Sequence, residues 1–264
     1  MRLSVVIITY NEEANIGRTL KSVEPLVRDG AGEIILVDSG STDCTVEIAK
    51  SFDARTFQEA WKGYAAQKNS AIGKAASDWI LNLDADEEVD ADLKQALQEV
   101  LKGSDGEIAG FWIPRKNFFL GRWIKHGGFF PDPKLRFFRR GAGRFEDRAV
   151  HETLTVEGRT GTVRYGALLH HAYPTLSSYI DHMNRYSSLG AQMVVAKNQV
   201  RFSLFDIVLR PAATFIYNYI FRLGFIDGRE GLLLHLYHAV YVSWKYTKAW
   251  EMSRVGGTSK SESS

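Results

Sequence analysis

The hydrophobic and polar positions of this chain follow several different periods. Leu3 to Ile8 is an apolar, mostly β-branched run that stops at Thr9-Tyr10-Asn11-Glu12-Glu13. A short run bounded in this way predicts a strand buried on both faces. From Asn11 to Val23 the apolar residues fall at Ile16, Leu20 and Val23, which is one face of a helix. Ile34 to Val37 predicts a second strand ending at Asp38. After it, Ser41, Thr42 and Asp43 offer N-cap chemistry to a helix through Ile48 and Ala49. Trp79 to Leu83 predicts a third strand, closed by Asp84-Ala85-Asp86, and Asp92 to Leu101 reads as an amphipathic helix ending at Gly103. Strands alternating with helices predict an α/β fold with a parallel sheet. Ligands of such sheets bind beyond the carboxyl ends of the strands. Those ends carry Thr9-Tyr10-Asn11, Asp38-Ser39-Gly40 and Asp84-Ala85-Asp86.

The pattern changes at Phe111. From there to Arg148 the chain is aromatic and basic, with ten cations against Asp132, Glu146 and Asp147. From Leu176 it turns helical, with helices expected over Tyr179 to Lys197, Phe202 to Phe221 and Leu232 to Trp250. A spanning helix needs about 20 mostly apolar residues. Asp206, Arg210 and Pro211 interrupt the second of these segments, and His235, His238, Lys245 and Lys248 the third. Helices lying in a membrane interface are therefore expected, with Arg222, Lys245 and Lys248 attracting anionic headgroups. The same apolar surfaces would suit a homo-oligomer. The tail after Arg254 is expected to be disordered.

Composition narrows the classes. At 264 residues, 45% hydrophobic and 24% charged, the chain is globular and can bury a core, which excludes disordered or collagen-like classes. The net charge of +2 gives no global basic field for nucleic acid. The single cysteine, Cys44, excludes an internal disulfide and a thiolate metal cluster, and fits a reducing compartment. The N-terminal apolar run is too short for a signal-peptide core, so the cytoplasm is the expected location.

Candidate chemistry sits at the strand ends. Asp84 and Asp86 could hold a hard divalent cation whose other positions are filled by diphosphate oxygens; the competing role is to cap the next helix. Asp38 could accept from a ribose hydroxyl or a base N–H. Its competing role is also capping, for which Ser41 and Asp43 are better placed. Tyr10 could stack on a planar base, or belong to an ordinary strand-to-helix turn.

Taken together, Ser4-Val-Val-Ile-Ile-Thr-Tyr-Asn-Glu-Glu, Ile35-Leu-Val-Asp-Ser-Gly-Ser-Thr-Asp and Leu81-Asn-Leu-Asp-Ala-Asp-Glu resemble the family 2 glycosyltransferases in order and spacing. Gln67-Lys68-Asn69, with Ala71 and Gly73, is similar to the family's segment between the second and third motifs. The resemblance implies a GT-A nucleotide-binding domain with a central, mostly parallel sheet, a helical C-terminal appendage, inversion at the anomeric carbon, and Mg²⁺ or Mn²⁺. It implies that Thr9, Tyr10, Asn11, Glu12, Asp38, Lys68, Asp84, Ala85 and Asp86 line the donor, with Asp86 the metal-binding member of the Asp pair. Asp84 and His170, rather than His171, would complete the metal's protein ligands.

Later motifs narrow the resemblance. Pro133-Lys-Leu-Arg-Phe-Phe-Arg, Val150-His-Glu, Leu169-His-His-Ala-Tyr, Asn184-Arg-Tyr-Ser and Gly224-Phe-Ile-Asp-Gly-Arg-Glu-Gly are similar to a subgroup that assembles lipopolysaccharide inner core. That subgroup includes enzymes adding β-glucose to heptose. The implied activity is a metal-dependent hexosyltransferase, moving glucose or a related hexose from a UDP-sugar to a glycolipid acceptor at the inner membrane leaflet. The implied organisation is a nucleotide-sugar-binding half over 1–110, an acceptor-side and catalytic half over 111–175, a membrane-associating or oligomerising region over 176–254, and a tail over 255–264. Inverting transfer needs a general base for the acceptor hydroxyl. Glu146, Asp147 and Glu152 are the candidates; the family's Glu-Asp pair favours Asp147, but the subgroup's Val-His-Glu favours Glu152, which is placed first. An ion pair with a neighbouring arginine is the competing role for Glu152.

Lys134, Arg136 and Arg139 could hold diphosphate or an acceptor phosphate, or form a solvated positive face. Phe118-Phe119 and Phe129-Phe130 are expected to pack rather than stack on sugars. The rival enzyme is a polyprenyl-phosphate glycosyl synthase, for which Glu152 would be dispensable. The rival of another class is a catalytically inactive nucleotide-sugar-binding assembly partner, against which the intact Asp84 and Asp86 argue.

Overall fold

The computed structural model describes residues 1–103, 106–146, 153–197 and 200–258. The elements are β1 (Leu3–Thr9), α1 (Ile16–Val27), β2 (Gly32–Asp38), α2 (Thr45–Ser51), β3 (Arg55–Gln58), α3 (Tyr64–Gly73), β4 (Trp79–Asp84), β5 (Glu87–Val89) and α4 (Ala91–Leu101). There follow β6 (Ile108–Ile113), β7 (Arg115–Phe119), β8 (Arg122–Trp123), β9 (Lys134–Arg139), β10 (Gly143–Glu146), β11 (Thr153–Val156), β12 (Arg159–Thr162) and β13 (Leu168–Tyr173). The last helices are α5 (Leu176–Lys197), α6 (Arg210–Ile216) and α7 (Gly228–Thr258). α7 thus runs four residues into the stretch expected to be a tail.

The chain forms two compact units: Met1–Lys116 with Pro131–His170, and Asn117–Phe130 with His171–Ser264. The segment 117–130 therefore belongs with the helical C-terminal residues, a grouping that the linear pattern does not reveal.

The first unit is built on a seven-stranded sheet ordered β12-β6-β9-β4-β1-β2-β3. β4, β1, β2 and β3 run parallel, and β9 is antiparallel to both β4 and β6. Alternation along β1 explains its uniform apolarity. Val5 and Ile7 face a cluster with Ile16 and Leu20 of α1 and Leu93 and Leu97 of α4, whereas Val6 faces Ala65 and Ala71 of α3. Fully buried Trp79 stacks on Phe137 across the antiparallel β4–β9 pair, with ring centroids 4.5 Å apart. Each such side chain contributes roughly 1.5–3 kcal/mol by leaving water.

Two expected helices begin later than the segments read for them. α1 starts at Ile16, because the N–H groups of Asn11, Glu12 and Glu13 bond instead to Ser41, Thr45 and Asp43. α2 starts at Thr45 for the reciprocal reason: residues expected to cap it are spent on the β1 loop. Asp43 alone keeps a bond to α2, accepting from the Thr45 N–H.

The second unit packs Phe119, Ile124, Tyr179 and Leu234 into its own core. The Asn184-Arg-Tyr-Ser motif has a packing role here. Lys248 Nζ of α7 donates to the Asn184 carbonyl (2.8 Å) and side-chain oxygen (2.6 Å), and to the hydroxyls of Ser187 (2.8 Å) and Ser188 (2.9 Å) of α5. Lys248 is thus committed inside the helix pair and does not serve as a headgroup cation. Lys245 lies along Gly190, with its Nζ 4.6 Å from the Tyr246 ring, and is likewise turned to packing.

The segment expected as one helix over Phe202–Phe221 is an α-helical centre flanked by π-helical turns, Phe205–Leu209 and Tyr217–Phe221. Pro211 accounts for the irregularity at its first half. Proline lacks an N–H, which leaves the Ile207 carbonyl without its helical donor. Ser243 of α7 supplies the replacement, its hydroxyl donating to that carbonyl at 2.8 Å.

Candidate functional site

The site lies at the carboxyl edge of the first unit's sheet. In-register pairing sets Thr9 beside Asp38 and Ile8 beside Asp84, so three strand ends meet there. Asp38 is 2% exposed, and its carboxylate is filled from within. It accepts from the Thr9 hydroxyl (3.0 Å), the Gly40 N–H (2.9 Å), the Ser41 N–H (2.8 Å) and the Ser41 hydroxyl. Four bonds use the acceptor capacity of a carboxylate. Through these bonds Asp38 shapes the Ser39–Ser41 turn.

The β1 and β2 loops are laced together. The Thr42 N–H donates to Asn11 Oδ1 at 2.9 Å, and the Cys44 N–H to Glu13 Oε2 at 3.1 Å. Asn11 adopts a left-handed φ of 54°, which asparagine tolerates well. Tyr10 is left 58% exposed beside this lacing.

Asp84 and Asp86 do not cap the next helix. Asp90 does so, accepting from the Leu93 N–H at 2.8 Å. Asp84 instead meets two cations: Lys68 Nζ at 2.9 Å and the Arg136 guanidinium. Burial pushes the Asp84 carboxyl up, but Arg136 and Lys68 more than offset this and hold it well below the usual carboxylate range. Arg136 also bonds Asn82 Oδ1 (2.9 Å) and Glu87 Oε1 (3.0 Å). Glu87 is fully buried; its Oε1 also accepts from Arg115 (3.1 Å) and its Oε2 from the Asp84 N–H (3.1 Å). Arg115 in turn bonds Asp132, which pairs with Lys134 at 2.9 Å. Asn82, Glu87 and Arg115 are members of this network that the sequence reading did not find.

The expected phosphate cations are placed differently. Arg136 is 6% exposed and engaged with three side chains, so it organises the acidic turn from beneath. Arg139 pairs in register with Trp79, at the start of β4 and hence the opposite edge of the sheet from Asp84. Five residues of strand separate these edges by roughly 16 Å. There Arg139 lies over the Trp79 ring at 4.8 Å and donates to the Ile108 carbonyl, which removes it from the site. Lys134 is paired with Asp132 and partly exposed.

His170 arrives through β13. Antiparallel pairing sets it opposite Glu87, one residue from Asp86, and its Nε2 lies 3.3 Å from Asp86 Oδ2. Burial raises the Asp86 carboxyl, but bonding to His170 outweighs this and leaves it below the ordinary value. His171 turns away and stacks on Phe118 in the second unit, with centroids 4.7 Å apart. Phe119 is buried and edge-on to Tyr179, so these aromatics pack as expected.

Among the described residues, no three His, Cys, Asp or Glu side chains converge as a ready metal site. Asp86 and His170, 3.3 Å apart, are the pair that would hold such an ion. Asp84 faces its cations instead of joining them. Glu12 reports the local field: burial raises its carboxyl, and the charges of Asp86, Asp43 and Asp84 raise it further, against a bond from Asn15. The donor chemistry of Asp86 and His170 therefore fits a divalent ion whose other ligands come from diphosphate and water. Of the three base candidates, Asp147 and Glu152 lie outside the described residues, and Glu146 is exposed at the end of β10.

α3 supplies the rest. Lys68 reaches Asp84 and sits 5.1 Å from the Phe145 ring, Gln67 donates to Ser39 Oγ at 3.2 Å, and Asn69 exchanges two bonds with the Phe145 backbone. The three consecutive residues thus tie α3 to the β4 turn, the β2 loop and β10.

Comparison with known proteins agrees with this architecture. The Glycosyl transferase family 2 profile matches residues 4–164. The lipopolysaccharide core biosynthesis glycosyltransferase LpsC of Rhizobium meliloti is 35% identical over 257 residues, covering 94% of this chain and 92% of LpsC. A dolichyl-phosphate hexose transferase of Haloferax volcanii is 28% identical over 153 residues, covering 58% of this chain and 63% of its own. Among solved structures, the mannosyltransferase PcManGT from Pyrobaculum calidifontis, in complex with GDP-Man and Mn²⁺, aligns with a TM-score of 0.56 at 16% identity, over 94% of this chain and 86% of that one, which speaks for the fold. With its GT-A sheet, the acidic turn at the end of β4 and these matches, the chain belongs to glycosyl transferase family 2.

Proposed function

We propose that this protein is an inverting, metal-dependent hexosyltransferase that moves glucose or a related hexose from a UDP-sugar to a glycolipid acceptor, such as the heptose of a lipopolysaccharide core. The observation that carries this reading is the meeting of Asp86 and His170, 3.3 Å apart, beside the Asp84–Lys68 pair at the β4 end. Asp86 and His170 would hold Mg²⁺ or Mn²⁺, which supplies charge neutralisation to the departing diphosphate. Asp84 stays ionised through Lys68 and Arg136 and fixes the turn that presents Asp86. Lys68 and Asp38 keep the β2 and β4 loops in place around the donor, and Tyr10 offers its exposed ring to the base. Glu152, with Asp147 as second candidate, takes the proton of the acceptor hydroxyl as it attacks the anomeric carbon.

The acceptor class is supported by the similarity to LpsC, which extends through the C-terminal unit. A second reading, transfer to a polyprenyl phosphate, draws on the partial similarity to the Haloferax enzyme. Localisation at the inner face of the membrane follows from either acceptor. The reading is tested by UDP release from UDP-hexoses in the presence of extracted core glycolipid or of polyprenyl phosphate. Release with glycolipid that Glu152→Gln abolishes supports the first reading. Release only with the lipid phosphate, indifferent to Glu152→Gln, supports the second. No release with either acceptor, with donor bound, favours an inactive assembly partner.

A further inference from the structure

Of the 20 large hydrophobic side chains exposed among the described residues, 14 fall between Phe202 and Leu236. A concentration of this kind marks a surface that something covers. Phe205, Leu209, Ile216 and Ile220 are spaced by four, seven and four residues, one stripe of a helix, and all are exposed. The stripe continues into the turn after Arg222, where Phe225 and Ile226 also face outward. α7, expected to share this role, is mostly packed and contributes only Leu232 and Leu236.

The net charge along the stripe is positive. Arg201, Arg210, Arg222 and Arg229 are exposed. The acids of the same stretch are occupied: Asp206 pairs with Arg210 at 2.8 Å, Asp227 is 2% exposed, and Glu230 faces Arg122 at 3.8 Å.

The Gly224-Phe-Ile-Asp-Gly-Arg-Glu-Gly motif, which the donor site leaves without a role, gathers further cations at one end of the stripe. The Asp227 carboxylate accepts from the N–H groups of Lys125 (3.1 Å) and His126 (2.8 Å), and the Gly127 N–H donates to the Arg222 carbonyl (2.9 Å). The Arg222 guanidinium rests against Gly128, where a Cβ would lie 2.2 Å from it. A Cβ on Gly231 would lie 2.3 Å from the Gly224 carbonyl oxygen, so the motif's glycines are what permit the turn to close. These bonds hold the Lys125 and Arg222 backbones in one loop cluster, with both side chains exposed and Lys125 Nζ 4.4 Å from the Trp123 ring centroid, and Arg229 follows in the same motif. Among the described residues, none of the three pairs with a carboxylate.

We propose that this unit docks on an anionic phospholipid bilayer, with the stripe from Phe205 to Ile226 lying in the membrane plane and Lys125, Arg222 and Arg229 holding lipid phosphates at its end. No described helix is long and apolar enough to cross a membrane, so the stripe has an in-plane geometry. A second copy of the chain is a poorer occupant, because a two-fold pairing of this face sets arginine against arginine with no free acid to meet it. The proposal names the lipid surface on which the proposed glycolipid transfer takes place. It fails separately from that reading, since donor binding belongs to the other unit.

The test is flotation of the full chain with vesicles of phosphatidylcholine alone, or with about one-third phosphatidylglycerol. Preference for the anionic vesicles by at least ~10-fold, falling as salt rises, is expected. Lys125→Gln, Arg222→Gln and Arg229→Gln should each weaken it about fivefold, and the triple variant about 100-fold. Leu209→Ser/Ile216→Ser/Ile220→Ser should lose both vesicle types while keeping its helical circular dichroism and UDP binding. Equal affinity for both vesicles, or an unaffected triple variant, overturns the phosphate contacts. A concentration-dependent dimer in sedimentation velocity that the apolar variant abolishes, with no vesicle binding by the parent, overturns the membrane as occupant.

Discussion

Replacing Arg136 with methionine leaves chain length in the buried site but removes its charge and its donors. Glu87 is fully buried and would keep only Arg115 and the Asp84 N–H, while Asp84 would keep Lys68. Breaking a buried charge network by removing one partner costs about 3–5 kcal/mol. The surviving cations place Arg136→Met towards the lower figure, near ~3 kcal/mol. For a unit of this size that is a fall of roughly 6–12 °C in midpoint. The pH dependence gives a second readout. The folded Asp84 carboxyl lies below its ordinary value, so the stability it contributes is present above the ordinary carboxylate range and is lost as pH falls through the folded value. Without Arg136 that depression shrinks, so the gap between parent and variant should narrow as pH drops through the carboxylate range. Urea unfolding at neutral and acid pH, followed by tryptophan fluorescence, measures both, since Trp79 lies in the same strand as Asp84. A gap below about 1 kcal/mol at neutral pH, or one that does not change with acidification, would refute the buried network.

Three further outcomes are expected. Asp38→Ala removes the acceptor of four donors. It should cost several kcal/mol, at about 1–3 for each buried group left unpaired, and abolish nucleotide binding; a midpoint unchanged in differential scanning calorimetry would contradict the role assigned to it. Gly231→Ala forces a Cβ to 2.3 Å from the Gly224 carbonyl and should lower stability by about 1–3 kcal/mol, seen as earlier loss of helical circular dichroism in urea. His170→Ala should weaken Mn²⁺-supported UDP binding by about 10–100-fold yet leave metal-free binding unchanged, whereas an equal loss in both conditions would make His170 a packing residue.

Much of the first unit was legible because strand ends announce themselves. Polar stops at Thr9, Asp38 and Asp84 mark where buried strands meet the carboxyl edge, and parallel pairing then brings them together. What could not be read is the register of distant strands. Arg136 looked like a phosphate clamp within a basic stretch; only the antiparallel pairing of Leu81 with Phe137 turns it beneath Asn82, Asp84 and Glu87. The same register carries Arg139 to the far edge. Glu87 gave no signal beyond following an acidic turn, since its burial depends on Arg115 arriving from a later strand. His170 was identified by resemblance, and its approach to Asp86 rests on its β5–β13 pairing with Glu87, 83 positions earlier in the chain. In the C-terminal unit, apolarity predicted helices correctly but not which of them stay exposed, because Lys248 and Gly190 decide the packing of α7 against α5.

In the proposed reaction, the β4 turn binds a nucleotide-sugar through a divalent ion held by Asp86 and His170. Calorimetric titration of UDP-glucose, with and without Mn²⁺, tests it most directly, with Asp86→Ala as the partner measurement. Binding should tighten with Mn²⁺ in the parent and lose that metal dependence in Asp86→Ala while the fold is kept. Binding indifferent to Mn²⁺, or a metal effect that survives Asp86→Ala, would contradict it.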